Sequence, residues 1–308
     1  MRTKEIMTKR DLLTLSDLSP REIQRLLKRA RELKSGKDAN KCPLIGKSVG
    51  LLFEKSSTRT RVSLEVGIYQ LGGQAIYMNP KEIQIGRGET IHDTAKVLSR
   101  YLHAVVIRTY SHETLVEFAS HSSIPVINGL SDLHHPCQAL GDLMTIAEKK
   151  GRLKGVRLAY VGDGNNVANS LIEAAAMTGI NLWVACPKGY EPASEVLEKA
   201  RMAATSAISI TSDPKRAVKG ADVIYTDVWV SMGQEKEAAK KKERFGNYQV
   251  NRRLLSYADE DAIIMHCMPA HRGEEIAGEI IDGPQSAIFD QAENRLHTQK
   301  ALLEFLLA

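Results

Sequence analysis

Aromatic residues make up only 5% of the 308 residues. A surface that grips nucleic acid by stacking bases needs more of them, so a nucleic-acid partner is not expected. Cysteine is scarce too, at Cys42, Cys137, Cys186 and Cys267. None forms a Cys-x-x-Cys pair, and the spacing does not frame a disulfide scaffold in so long a chain. Unpaired thiols in a reducing compartment follow, and the cytoplasm is the expected location. No apolar run reaches the length of a membrane span. The opening residues mix Arg2, Lys4, Lys9 and Arg10 with Glu5 and Asp11, and no apolar segment follows, so a signal peptide is not expected. Internal repeats and low-complexity tracts are missing as well.

What is present is a globular composition, 43% hydrophobic and 26% charged, with a formal charge of +5. The excess charge favours anionic partners without saying which. Ser19, Pro20 and Glu22 spell a capped helix start. Strand and helix patterns then alternate. Strands are expected at 48–53, 75–78, 104–108 and 125–127, and helices at 62–71, 90–101, 113–120 and 136–150. After the basic connector 151–155, strands are expected at 157–161, 182–185, 207–210, 223–226 and 262–265. Helices fall near 166–178, 195–204, 214–218, 252–257 and 294–307. Such alternation implies an α/β fold of two doubly wound parallel-sheet domains, with the active site in the interdomain cleft. The expected domains are 1–150, completed by a C-terminal helix over 290–308, and 151–289.

One polar cluster follows the first strand: Lys55-Ser56-Ser57-Thr58-Arg59-Thr60-Arg61. Free N–H groups at a helix start, the hydroxyls of Ser57, Thr58 and Thr60 and two guanidinium groups suit phosphate oxygens. A capped helix with two surface arginines is the plainer alternative. No Gly-x-x-x-x-Gly-Lys occurs, so this is not a nucleotide P-loop. Arg108 ends a strand, where a site residue or an ordinary surface arginine would stand. His135 and Gln138, around Pro136, could donate to a carbonyl oxygen under attack or simply serve a cap and a core contact.

The second cluster is Gly162-Asp163-Gly164-Asn165-Asn166. Val167 stands where a dinucleotide loop needs its third glycine, and no acidic residue ends the next strand, so a nicotinamide enzyme is a weak rival. Asn166 could donate to a carboxylate or cap the helix. Asp227, ending an apolar strand, suits an ammonium group but also an ordinary turn. His134, His135, His266, Cys267 and His271 lack the short pairings of a structural zinc site, so no metal is expected.

Phe-x-Lys-x-Ser-Thr-Arg-Thr, His-Pro-Cys-Gln-Ala-Leu and His266-Cys267-Met268-Pro269 resemble, in order, the motifs of the aspartate and ornithine carbamoyltransferase family. Met268 replaces a leucine, a near volume-conserving exchange. The resemblance runs from about Leu12 to the C-terminus. It implies transfer of a carbamoyl group from carbamoyl phosphate to an amine, without a cofactor. It implies that Ser57, Thr58, Arg59, Thr60, Gln84, Arg108, His135, Gln138, Cys267, Met268 and Arg295 meet carbamoyl phosphate. Arg108, His135 and Gln138 would polarise the carbamoyl oxygen. Gln84 would come from a neighbouring subunit, so a homotrimer with shared active sites is implied. The segment Asp227-Val228-Trp229-Val230-Ser231-Met232-Gly233 is similar to the family's ornithine loop. By that similarity Asn166 and the Met232 main chain hold the α-carboxylate, Asp227 and Ser231 hold the α-ammonium, and Cys267 and Asp227 stand nearest the attacking amine. The lysine-rich helix 234–244 reads as a solvated face on a closing loop.

Overall fold

The structure is a computed structural model that describes residues 9–38, 41–79, 88–231, 233 and 235–308. Gln84 and Met232 lie outside the described residues.

Two wholly parallel sheets follow one another. The first holds β1 (Ser48–Phe53), β2 (Gln74–Met78), β3 (Ala104–Arg108) and β4 (Val126–Leu130), in the order β2-β1-β3-β4. The second holds β5 (Arg157–Val161), β6 (Asn181–Ala185), β7 (Ile208–Thr211), β8 (Val223–Thr226) and β9 (Ile263–His266), in the order β7-β6-β5-β8-β9. In each sheet the chain leaves the first strand to one side and returns to the other. That reversal opens a crevice beyond the carboxyl ends, between β1 and β3 and between β5 and β8. The strands are short apolar runs, and every residue of β3 is buried, as expected where helices cover both faces.

Helices α1 (Pro20–Lys34), α2 (Thr58–Gln70), α3 (Ile91–Tyr101), α4 (His112–His121) and α5 (Pro136–Lys150) serve the first sheet, and α6 (Asn166–Thr178), α7 (Ser194–Ala203) and α8 (Pro214–Val218) the second. The capping box of α1 forms as the sequence indicates, with Ser19 accepting from the Glu22 amide. Helix α5 is buried from Pro136 through Ile146 and packs against α6. One continuous hydrophobic cluster therefore joins both halves, from Leu27 through Leu143 to Leu171 and Leu182. Truncating such a side chain to alanine costs about 2–5 kcal/mol. After α9 (Ala238–Phe245), α10 (Arg252–Leu255) and α11 (Gly278–Ile281), the last helix, α12 (Ile288–Leu307), returns to pack on α1, α2 and α5.

Several boundaries differ from the sequence expectation. Helix α2 begins at Thr58 rather than 62, because the Ser57 hydroxyl accepts from the Thr60 amide and caps it there. Helix α12 begins at Ile288 rather than 294. Its N-cap, Ala287, makes no side-chain cap bond, so no capping residue announces the start. Arg295 is thus a buried mid-helix residue, not a first-turn cation. The short α11 and a 3-10 turn at Leu15–Asp17 were not expected. The lysine-rich stretch opens with a 3-10 turn at Glu235–Glu237 before α9.

Candidate active site

The carboxyl ends of both sheets face one cleft of about 780 Å³. Its lining includes Ser57, Thr58, Arg59, Thr60, Arg108, His135, Gln138, Asn166, Asp227, Ser231, Cys267, Met268 and Arg295. Arg61, expected beside Arg59, turns away instead. It bonds Glu65 at 2.9 Å and lies 3.7 Å over the Tyr77 ring.

The first wall is built on β1, β3 and the start of α5. Register sets Phe53 beside Arg108, and a bulge after Ile107 brings Arg108 opposite Leu130. Because α2 starts at Thr58, the amides of Thr58 and Arg59 belong to its first turn and have no helical acceptor. Lys55 is buried, pairs with Asp132 and lies 4.2 Å over the Tyr110 ring, which ties the loops after β1 and β4 together. Arg295 reaches in from α12 and donates from Nη2 to Thr60 Oγ1 at 2.8 Å. Gly141 allows this approach, since a Cβ there would stand 3.0 Å from Arg295 Cγ.

This wall has a strongly positive character. Arg108 and Arg295 are both buried, and neither forms an ion pair among the described residues. Burial, reinforced by Arg295 and Arg59, pulls the Arg108 pKa down to about 9. Burial also lowers that of Arg295. The imidazole of His135 is pushed well below its ordinary value by burial and then by the two arginines, so it stays neutral. The Nε atoms of Arg108 and Arg295, Nδ1 of His135 and Oε1 of Gln138 are buried without a hydrogen-bond partner among the described residues. Buried polar atoms are rarely left so, and their convergence on a cleft points to a polar ligand.

The second wall is closed on itself. Cys267 donates from Sγ to Asp227 Oδ1 at 2.8 Å, and Asn165 donates from Nδ2 to Asp227 Oδ2 at 2.8 Å. Burial and then Asp227 hold the Cys267 thiol well above the usual range, so it is a neutral donor. Asn165, not Asn166, caps α6, accepting from the amides of Val167 and Ala168. Asn166 donates to the Ser131 carbonyl at 2.6 Å, so part of its amide faces the other domain. Gly164 has a steric reason, because a Cβ would come within 2.3 Å of the Pro192 nitrogen. Lys241 of α9 is buried and bonds Asp163 at 2.5 Å. The expectation that this helix presents only solvated charges is corrected there, since the side chain points into the cleft wall.

Asn165, Asp163 and Lys241 escaped the sequence reading. The doubled asparagine after Gly164 held the signal for the first. Nothing local marked Lys241, whose partner is 78 residues away. Cys267, His266 and Asp227 offer ligand atoms close together, as do His271, Glu274 and Glu275. In both groups the atoms engage one another or neighbouring protein groups, such as Glu275 with His266 at 3.1 Å.

A cleft between two α/β domains, with a buried cationic wall across from a polar one, fits an enzyme that takes an anionic substrate. Comparison with known proteins names the family. Residues 10–148 match the carbamoyl-P binding domain of aspartate/ornithine carbamoyltransferase, and residues 154–306 its Asp/Orn binding domain. The chain belongs to the aspartate/ornithine carbamoyltransferase family. It is 53% identical to the ornithine carbamoyltransferase of Syntrophus aciditrophicus, covering 97% of this chain and 100% of that one. It is 55% identical to that of Bacillus subtilis, over 97% and 94%. The crystallised ornithine carbamoyltransferase of Pyrococcus furiosus superposes with a TM-score of 0.93 at 49% identity, over 98% of each chain.

Proposed function

We infer that this chain transfers the carbamoyl group of carbamoyl phosphate to the δ-amine of L-ornithine, giving L-citrulline and phosphate in arginine metabolism. The observation that carries the inference is the pair of buried guanidinium groups, Arg108 and Arg295, without ion-pair partners among the described residues and aimed at one cleft. A doubly charged acyl phosphate supplies the missing compensation.

The donor is already activated, so no cofactor is needed. Phosphate sits against the first turn of α2, held by Ser57, Thr58 and Arg59, with Gln84 added from a neighbouring copy. Thr60 Oγ1 accepts from both Ser57 Oγ and Arg295 Nη2, which leaves its own O–H to donate to the carbamoyl oxygen. Arg108 and neutral His135 complete that oxyanion pocket. Gln138 donates from Nε2 to Asp142 at 2.9 Å, and its Oε1, unpaired among the described residues, is assigned to the carbamoyl amine. Each such preorganised donor is worth about 3–4 kcal/mol by deletion. Holding two substrates in line contributes on the order of 7–11 kcal/mol.

On the acceptor side, Asp227 and Ser231 take the α-ammonium, and Asn166 with the Met232 main chain takes the α-carboxylate. The neutral thiol of Cys267 is hydrogen-bonded to Asp227. It lines the path of the δ-amine without being a thiolate nucleophile, and no covalent enzyme intermediate forms.

Residues 1–150 with the helix over 290–308 form the carbamoyl-phosphate half in this proposal, and 151–289 the ornithine half. Packing of α12 on α1, α2 and α5 supports that division. A homotrimer is also proposed. Val62, Val66 and Tyr69 share one exposed face of α2, and Val97 and Tyr101 one face of α3, with Tyr69 80% and Tyr101 71% exposed. An apolar surface of this kind fits a second copy. The thiols of Cys137, Cys186 and Cys267 are unpaired, which fits the cytoplasm. The test is citrulline formation from carbamoyl phosphate with ornithine, N-acetylornithine, putrescine and aspartate offered in parallel. Ornithine should be used at least tenfold better than the rest. Equal use of putrescine, or none of ornithine, overturns the assignment.

A further inference from the structure

We propose that Ser170 is a positioning residue for carbamoyl transfer, fixing the His135 backbone from the opposite domain and so joining the two walls of the site. The inference rests on the transfer reading above and adds a residue to it.

Helix α6 carries a polar stripe inside an apolar helix. Asn166, Asn169, Ser170 and Glu173 stand at i, i+3, i+4 and i+7, which places them on one face. That face grips the chain of the first half. Asn166 Nδ2 donates to the Ser131 carbonyl at 2.6 Å, and Asn169 Nδ2 to the Leu133 carbonyl at 3.0 Å. Ser170 Oγ accepts from the His135 amide at 2.7 Å. Glu173 accepts from the Leu15 amide at 3.1 Å and the Ser16 hydroxyl at 3.0 Å.

His135 is where this grip bears on chemistry. It is the N-cap of α5, with φ −137° and ψ 65°, and makes no side-chain cap bond. Its amide lies before the helix ladder begins, so the bond to Ser170 sets its orientation. The Nδ1 atom is buried and unpartnered among the described residues, so none of them fixes the imidazole by a ring bond at that nitrogen. Ser170 is itself buried at 1% exposure, and no bulk water replaces its hydroxyl. A rotation about the His135 backbone would swing the imidazole away from the carbamoyl oxygen. Small displacements of a positioned donor have large kinetic consequences. Asn166, four residues earlier on the same rigid helix, lines the acceptor side of the cleft. One helix thus sets both the donor-polarising imidazole and an acceptor contact.

The experiment compares Ser170→Ala with Asn169→Ala. Ser170→Ala removes the one bond from the His135 amide, whereas Asn169→Ala removes the bond to the Leu133 carbonyl and a second one from the Ala193 amide, so a purely structural role predicts at least as large a loss in the Asn169 variant. Positioning predicts that Ser170→Ala lowers kcat about tenfold with the KM for ornithine within about twofold, whereas Asn169→Ala keeps kcat within about twofold. Ser170→Cys, which retains a weak acceptor, should recover part of the loss, and it replaces the alanine variant if that fails to fold. The imidazole resonance of His135, assigned by its disappearance in His135→Gln, should respond differently to added carbamoyl phosphate in Ser170→Ala than in wild type, and normally in Asn169→Ala. A kcat loss in Asn169→Ala equal to or larger than that in Ser170→Ala, wild-type kcat in Ser170→Ala, or an unaltered His135 resonance overturns the proposal. Wild-type protein that makes no citrulline overturns the transfer reading instead, and the resonance comparison still decides whether Ser170 positions His135.

Discussion

The two walls of the cleft handle charge in opposite ways. On the first, Arg108 and Arg295 are buried without a counter-ion among the described residues. On the second, the buried carboxylates Asp227 and Asp163 are already engaged, Asp227 by Cys267 and Asn165 and Asp163 by Lys241. Unpaired buried cations cost folding free energy, whereas a carboxylate held by neutral donors costs little. The donor wall therefore carries its own destabilisation until a dianion arrives. The acceptor wall is prearranged for a zwitterion, which brings both signs and needs placement more than compensation.

The largest expected effect breaks the donor wall. Arg108→Ala should lower kcat/KM by about 10²–10³-fold, the scale of losing one preorganised oxyanion donor. Its melting temperature should hold or rise, because the change removes an uncompensated buried charge. Thermal melting beside a citrulline assay checks both. Near-normal turnover would sink the role given to Arg108. Next comes the acceptor wall. Asp227→Ala should raise the KM for ornithine by about 10²-fold, the scale of losing a charged hydrogen-bond partner. Protection of the variant against heat by carbamoyl phosphate should persist, since that ligand binds the other wall. Joint loss of both would show that the walls are not separable.

A smaller effect distinguishes thiol from thiolate at Cys267. With its proton held by burial and Asp227, Cys267 should react slowly with iodoacetamide at pH 8, where an ordinary exposed thiol is partly ionised. Cys267→Ser keeps an O–H donor for Asp227, so kcat should fall no more than about tenfold, a loss near 1.4 kcal/mol. Fast alkylation at neutral pH, or complete inactivity of the serine variant, would contradict a neutral donor.

The same contrast separates what the sequence discloses from what it hides. Both sheets, their parallel order and the strand-end placement of Arg108, Asp227 and Cys267 were legible, because alternating apolar runs and their punctuation are local signals. The donor cluster at Ser57–Thr60 was legible for the same reason, though the hydroxyls that cap α2 disguised where the helix starts. Hidden were partners supplied across long separations: Lys241 on Asp163, Arg295 on Thr60 and Ser170 on His135. No periodicity within one segment reveals which residue of another will meet it. The polar stripe of α6 is intermediate. Its spacing is visible in the sequence, but a polar stripe usually means solvent, and only the packed helix shows it facing another domain.

Asp142 offers the finest test of how the donor wall is held. It is fully buried and accepts from Gln138 Nε2 and Gln291 Nε2, so it orients the glutamine assigned to the carbamoyl amine. Burial outweighs those bonds and raises its pKa from 3.8 to about 7. The unfolded chain therefore releases this proton near pH 4, while the folded protein keeps it until near pH 7. Across that window the unfolded state binds fewer protons, so stability falls as pH rises. The contribution is fully present below pH 4 and is lost by the time the pH passes 7. Asp142→Asn removes the titration while retaining Oδ1, the oxygen to which both glutamines donate. The wild-type unfolding free energy should drop between pH 5 and 7.5 relative to the variant by an amount on the order of a few kcal/mol, at roughly 1.4 kcal/mol per pKa unit, and the melting temperature should fall with it. Turnover of the variant should change least of all, since Gln138 keeps a neutral acceptor. Parallel melting curves for the two proteins across that range would mean that the Asp142 carboxyl is ionised inside the fold, and that the glutamine is held by a charge.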